Sequence, residues 1–487
     1  MGVHQPFKHP ITFAGKMVII VNSSVSNKKL ALFVVALGSF MMPFMGSSIN
    51  VALPSIGKEF SIDAILLNWV TTAYFLASVM FLIPFGKIAD IYGRKRIFAY
   101  GIVIFTIASL LTALSTSIFL LICFRFLQGI GGAMFFSTGV AIIASVSAPA
   151  ERGKALGINV AIVFLGRTMG PFLGGMLTQN FGWRSIFYAI IPICLLLLAL
   201  VFGKLEGEWA EASVKKFNYA SSAIYSVSVL VFMYGFTVVP ARSSIWLIAA
   251  GALCFIYYIW HETKVENPLI NINLFRENTF FALSNLALLI NFSATFAVVF
   301  LLSLYLQYIQ MLTPQNAGLI LISQSIAQGV ISPIAGILSD RFAPRIIASI
   351  GMGITAVSLF LFAFLNSQTS LLYIIVVLAI LGLGIGLFAS PNTNAIMGAV
   401  DKEYYGVSSA TLATMRQTGN LLSMAMVMVI FALFIGRVEI TPPYYAAFLE
   451  ATTTAFIIFG IICCGGVAVS LARGSRKNSQ KRKQNTF

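Results

Sequence analysis

Charge is what this chain lacks most. Of its 487 residues only 9% are charged, with 15 Asp and Glu against 31 Lys and Arg. A soluble domain needs a polar exterior, and a composition that is 59% hydrophobic with a mean hydropathy of +0.92 cannot supply one. Cysteine is sparse as well. Cys123, Cys194, Cys254, Cys463 and Cys464 sit in apolar stretches as small packing residues, at spacings that suggest neither a metal site nor disulfides. No G-x-x-x-x-G-K-[ST] loop occurs, which argues against an ATP-driven pump. The Gly382, Gly384, Gly386 series lies in an apolar run and reads as packing. No nucleophile–base pair points to an intramembrane enzyme, and no filter-like motif to a selective channel. No cofactor is expected.

Long apolar runs are what the chain does have. Roughly 20 such residues cross the hydrocarbon of a bilayer. By that ruler fourteen spans lie near 30–53, 66–87, 97–115, 118–141, 154–178, 185–203, 219–238, 244–261, 279–307, 316–338, 345–366, 370–392, 407–435 and 446–471. Breaks fall at Pro54, Asn366-Ser367-Gln368 and Pro442-Pro443. Lys16 precedes an apolar run too short for a signal-peptide core, so residues 1–29 read as a cytoplasmic tail.

Charge placement tests the count. With that tail inside, the tails and even-numbered loops hold 24 of the 31 Lys and Arg residues. The odd loops hold Lys58, Arg184, Arg242 and Arg437, while Arg125, Arg167 and Arg416 lie within spans. This bias puts both ends in the cytoplasm of a plasma-membrane protein, the second as a basic tail over 472–487 that includes Arg473. The net charge of +16 is thereby explained without nucleic acid, the lipid bilayer being the basic tail's neighbour.

An internal repeat divides the chain. Gly86, Asp90, Gly93, Arg94, Lys95 and Arg96 follow the second span, and Gly336, Asp340, Arg341 and Arg345 follow the tenth, with a glycine, an acid and a base (Lys95 and Arg345) at matching offsets. The acids are 250 residues, or eight spans, apart, so two extra spans separate two halves of six. The segments are a bundle over 30–203, a linker with two extra helices over 204–278, and a bundle over 279–471. Gly86 would let two helices approach, and Asp90 would pair with a nearby Arg and face a helix N-terminus.

These loops resemble the signature loop of the major facilitator superfamily, and the chain resembles its fourteen-helix drug:proton antiporter branch over residues 30–470. Further motifs agree: Asn50 to Pro54, Trp69 and Tyr74, Arg125 to Gly129 with Gln128, Gly182-Trp183-Arg184, Pro268-Leu269, Leu274-Phe275-Arg276 and Tyr305-Leu306-Gln307. Gly157, Gly166, Gly170, Pro171, Gly174 and Gly175 are similar to the antiporter motif. The resemblance implies an all-α membrane fold of two six-helix bundles plus two extra central helices. It implies a monomeric secondary carrier that exports small amphipathic compounds or drugs, with protons as the coupling ion and Asp90, Arg94 and Asp340 gating the cytoplasmic side. The pattern departs at Met45, where the branch carries an acid, and at Asn218, where it carries another.

Ionisable groups inside a bilayer default to function, at roughly 2.5–3.5 kcal/mol for each Arg on insertion scales. Arg125, Arg167 and Arg416 therefore need a reason. Two remain open: a net-positive cavity for anionic or neutral amphipathic solutes, or guanidinium groups bonded to backbone carbonyls and amides. Glu450 is the one acid deep enough to carry a proton. Neutral lining would come from Asn50, Asn159, Asn291, Gln324, Gln328, Asn392 and Asn394, with Ser47, Thr72, Gln417 and Asn420. A membrane sensor that has lost transport is the competing class.

Overall fold

A computed structural model of the protein describes residues 12–13, 16–17, 25–148, 151–209, 217–266, 268–270, 272–400 and 405–473. Fifteen α-helices are described: α1 Val25–Phe60, α2 Ala64–Tyr92, α3 Arg94–Ala113, α4 Ile118–Val146, α5 Arg152–Phe181, α6 Ser185–Gly203, α7 Tyr219–Thr237, α8 Ser243–Glu262, α9 Ile272–Glu277, α10 Thr279–Leu304, α11 Pro314–Arg341, α12 Pro344–Phe362, α13 Leu371–Gly398, α14 Tyr405–Phe434 and α15 Tyr445–Ala472. All but α9 are long and apolar enough to cross a membrane, which makes fourteen candidate spans among the described residues. A two-residue antiparallel pairing, Thr12–Phe13 with Lys16–Met17, precedes them.

The packing repeats. In the first half α1 lies on α5, α3 on α4, α2 on α4 and α3 on α6; in the second, α10 lies on α14, α12 on α13, α11 on α13 and α12 on α15. Across the halves α5 meets α11 and α2 meets α14, contacts that a two-fold relation would exchange. The extra pair α7–α8 is central in sequence but peripheral in space. α7 packs on α2 and α14, and Trp246, Leu253 and Ile256 of α8 are exposed.

Prolines decide where helices bond to each other. Pro54 does not end α1, which runs on to Phe60 before Ser61 adopts a φ of 48°. Proline lacks an N–H, so it frees the carbonyl four residues earlier. That carbonyl, on Asn50, instead accepts the Ser303 hydroxyl of α10 at 2.8 Å. Pro84 likewise frees the Met80 carbonyl, which accepts the Ser226 hydroxyl of α7 at 3.0 Å, and Tyr225 donates to Val79 O beside it. The first proline thus creates a joint between bundles, the second an anchor for the extra pair.

Among the described residues, the nitrogen and oxygen hydrogen bonds between the halves lie toward one end. α1 begins and α15 ends at one face, the terminal face; the contacts lie toward the opposite face. There Asn68 Nδ2 donates to Met424 O at 3.3 Å, Gln307 Nε2 to Val51 O at 3.0 Å, and the Ala64 N–H to Val438 O at 3.1 Å. Glycine permits the closest approach: a Cβ at Gly175 would strike the Pro314 carbonyl, and one at Gly318 the Pro171 carbonyl. Nearer the terminal face on the same two helices, a Cβ at Gly157 or Gly329 would meet nothing within 4 Å. So α5 and α11 splay apart toward the termini.

Candidate binding cavity

Between the splayed halves lies a cavity of about 570 Å³, its open mouth included. α1 contributes Met42, Pro43, Gly46 and Ser47, α5 Val163, Phe164 and Arg167, α10 Phe292 and Phe296, and α14 Arg416, Gln417 and Asn420. Phe75 of α2 and Phe136 of α4 close its side. A smaller space of about 340 Å³ adjoins it, shared through Ser47, Arg167 and Phe296 and reaching Asn50, Pro171 and Gln324. The surface is mostly aromatic and aliphatic with two cations set in it.

Those cations come from the fifth helix of each half. Arg167 Cζ lies 5.7 Å from the Phe292 ring centre and 5.9 Å from that of Phe296. Arg416 Cζ lies 5.3 Å from Phe292 and 5.9 Å from Phe164. Sharing one ring, the two guanidinium groups are at most about 11 Å apart, which at an effective dielectric of about 20 means a repulsion of about 1.5 kcal/mol or more. Among the described residues neither has a hydrogen bond or an ion pair, and Arg416 Nε is buried without a partner. No described carboxylate lines the cavity. Cation–π contact supplies part of what water would.

Arg125 is different. Its Nε donates to Val70 O at 3.1 Å and its Nη1 to Gln128 Oε1 at 2.5 Å, and Gln128 Nε2 donates to Ser109 at 2.7 Å. The guanidinium lies 4.4 Å from the Tyr74 ring centre, and the Tyr74 hydroxyl donates to Met42 O. Arg125 and Gln128 therefore join α1, α2, α3 and α4 and do not reach the cavity.

The antiporter-motif glycines are packing devices. Gly166, Gly170 and Gly174, spaced by four, press one face of α5 against Phe40, Phe44, Ser47 and Ser48 of α1, where any Cβ would collide. Gly175 faces the other way, onto α11. A loop expectation needs correction: Gly86 makes no close approach, since a Cβ there would meet only Ser137 Cβ at 3.8 Å.

In the signature loop Asp90 pairs with Arg94 at 2.7 Å, and Arg94 reaches Ser145 of α4 at 2.6 Å. The group at the N-terminus of α3 is not Asp90 but Glu208, whose carboxylate accepts the Lys95 N–H at 2.8 Å and lies 3.6 Å from Arg96. The Trp209 carbonyl accepts the Arg94 N–H at 2.8 Å. Gly93, at φ 113°, leaves room for the Glu208 side chain. The linker after α6 thus straps the loop down, and sequence reasoning missed it because the partners are over a hundred residues apart. In the second half Arg341 is exposed, and the Asp340 side chain lies outside the described residues.

Of the neutral candidates, Asn50 and Gln324 reach the smaller space. Asn159, Asn291 and Gln328 are buried outside both spaces, each with a side-chain polar atom unpartnered. Asn394 is exposed and donates to Ser339. Asn392 accepts from Arg473, which is not part of a solvated tail: it is 4% exposed and also bonds Ser470 at 2.5 Å, closing the end of α15 onto α13. Glu450 is exposed in the second turn of α15 and does not line the cavity. Asn218 caps α7, its Oδ1 accepting the Ser221 N–H at 2.9 Å.

Two similar helical halves around a central cavity define a polytopic membrane carrier. The sequence profile described as Major Facilitator Superfamily matches residues 35–284 and 284–486, and the chain belongs to that family. It is 29% identical to the riboflavin transporter RibZ of Clostridioides difficile (strain 630), over 92% of this chain and 98% of that one. It is 31% identical to the multidrug resistance protein Stp of Mycobacterium tuberculosis (strain CDC 1551 / Oshkosh), over 81% and 74%. Among solved structures, a peptide transporter POT (E310Q mutant) in complex with alafosfalin superposes with a TM-score of 0.67 at 13% identity, over 93% of this chain and 100% of that one. The protein is a small-molecule transporter of that superfamily and not an enzyme.

Proposed function

We propose that this transporter exports small amphipathic compounds across the plasma membrane by alternating access, acting as a monomer with both termini cytoplasmic. The observation that carries this reading is the cavity itself, sealed toward one face by bonds between the halves and splayed toward the terminal face. With the termini inside, this is the state that loads from the cytoplasm. Rocking the halves about the Gly175–Gly318 contact would open the other side. The largely apolar, phenylalanine-rich wall suits solutes that partition into the bilayer. Relatives whose names record riboflavin transport and multidrug resistance support small organic solutes.

Protons are the coupling ion that the family resemblance implies. The test is a pH-quench assay in everted vesicles, across cationic, neutral and anionic amphipaths. Substrate-dependent quenching with accumulation is expected. Accumulation without quenching would remove proton coupling and leave transport; ligand binding without any accumulation would favour the sensor. Asp90→Asn should stay folded and turn over more slowly, since Asp90 holds Arg94 against α4.

A further inference from the structure

We infer that the central cavity selects an organic anion, its acidic group held in the field of Arg167 and Arg416 and its aromatic or apolar body resting on the phenylalanines. This deepens the reading above and rests on the same cavity.

The argument begins with what the two arginines do not do. A guanidinium inside a bilayer is ordinarily satisfied by carbonyls, amides or a carboxylate, as Arg473 is here and as Arg125 is through Nε and Nη1, its Nη2 alone being buried without a partner. Arg167 and Arg416 have none of these among the described residues, and each raises the energy of the other. Such a pair is unfavourable for the empty protein and becomes favourable when negative charge enters. The guanidinium fork matches carboxylate, sulfonate or phosphonate geometry.

The neighbouring groups agree. Gln417 Oε1 accepts from Asn420 Nδ2 at 2.9 Å, so its own amide nitrogen, with only Met42 Sδ at 3.9 Å, is free to donate to an acid. Phe292, Phe296 and Phe164 present ring faces to the cations, and the same wall receives a flat solute. A cationic solute meets two like charges and no described carboxylate, so it is repelled.

The test uses the full chain in nanodiscs and three probes of one shape: 1-naphthoate, 1-naphthamide and 1-naphthylmethylammonium. Naphthoate should bind at least about tenfold tighter than the amide, with the cation weakest, and should raise the thermal midpoint of the unmodified protein more than the amide does. Arg167→Gln and Arg416→Gln should each remove most of that preference, with Lys at either position keeping part of it. Absence of naphthoate binding, amide or cation binding as tightly, or an undiminished preference in a folded double Gln variant would each overturn the inference. Flux in proteoliposomes separates it from the transport reading. Transport of all three probes alike would overturn the anion site and leave the carrier standing. Selective naphthoate binding with no flux of any probe would support the site and remove the carrier.

Discussion

The first half of the molecule contains two arginines within its spans, one buried and one half-buried in the cavity wall, that could hardly differ more. Arg125 is bonded to a backbone carbonyl and a glutamine and stacked on Tyr74, and through Tyr74 and Gln128 this cluster ties α1, α2, α3 and α4 together. Arg167, on the next helix, has aromatic rings beside it and a second cation beyond them. Residue type does not distinguish them; exposure and partners do. A buried charge bonded to its neighbours, as Arg125 is through Nε and Nη1 though not Nη2, is architecture, because removing it strands the groups it satisfied. A half-buried charge left without a protein partner beside its like is a local destabilisation, of the kind retained at sites where something must bind.

The largest effect should follow from breaking the partnered one. Arg125→Met takes a donor from Val70 O and strands the Gln128 side-chain oxygen in a buried joint, and should cost about 1–3 kcal/mol. It should show as poor expression and a lower unfolding midpoint in detergent, with no ligand able to restore it. Arg416→Gln should do the reverse. Removing one of two repelling cations relieves about 1.5 kcal/mol or more of repulsion against the loss of its ring contacts, so the empty protein should be at least as stable as before, while transport of the preferred solute is lost. If Arg416→Gln unfolds the protein as Arg125→Met does, the distinction between the two kinds of arginine is wrong.

The sequence already pointed to all three of these arginines, because an ionisable group within an apolar run is visible by position alone. Which were partnered was not visible. The acceptor of Arg125 is a carbonyl on another helix, fifty-five residues away, and carbonyls leave no trace in composition. Span count and charge bias were legible for a related reason: the bilayer imposes length and sidedness residue by residue. Pro54 was read as a break because proline ends helices in water, but between packed helices the freed Asn50 carbonyl finds Ser303 instead. Arg473 was read as tail because nothing local shows that Asn392 and Ser470 wait for it. The turn of π-helix over Tyr305–Ile309, which carries Gln307 to Val51 O, has no sequence signal beyond the familiar Tyr305-Leu306-Gln307.

Glu208 extends the comparison to an acid with partners outside the cavity. Its carboxylate caps the first turn of α3 and faces Arg96, so Glu208→Gln should lose about 1 kcal/mol of local stability. The consequence should be kinetic. With the linker strap loosened, Gly93 to Arg96 should exchange amide hydrogen faster, and turnover should change several-fold while binding in the cavity does not. Unchanged exchange at Lys95 would mean the strap does not hold the loop.

The smallest effect belongs to an acid with neither role. Glu450 looks in sequence like the deepest carboxylate and the natural proton carrier, yet it is exposed one and a half turns into α15 and does not line the cavity. An exposed carboxylate has water or lipid head groups for company, and substitutions at such positions usually stay within about 0.5 kcal/mol. Glu450→Gln should therefore leave the unfolding midpoint, the substrate preference and the pH-quench signal within about twofold of the parent protein. Loss of the quench signal with transport retained would mean that a proton passes through this exposed edge after all. In that case the absence of partners would mark a working charge at the rim of the bundle as well as inside it, and the contrast between Arg125 and Arg167 would hold for cations alone.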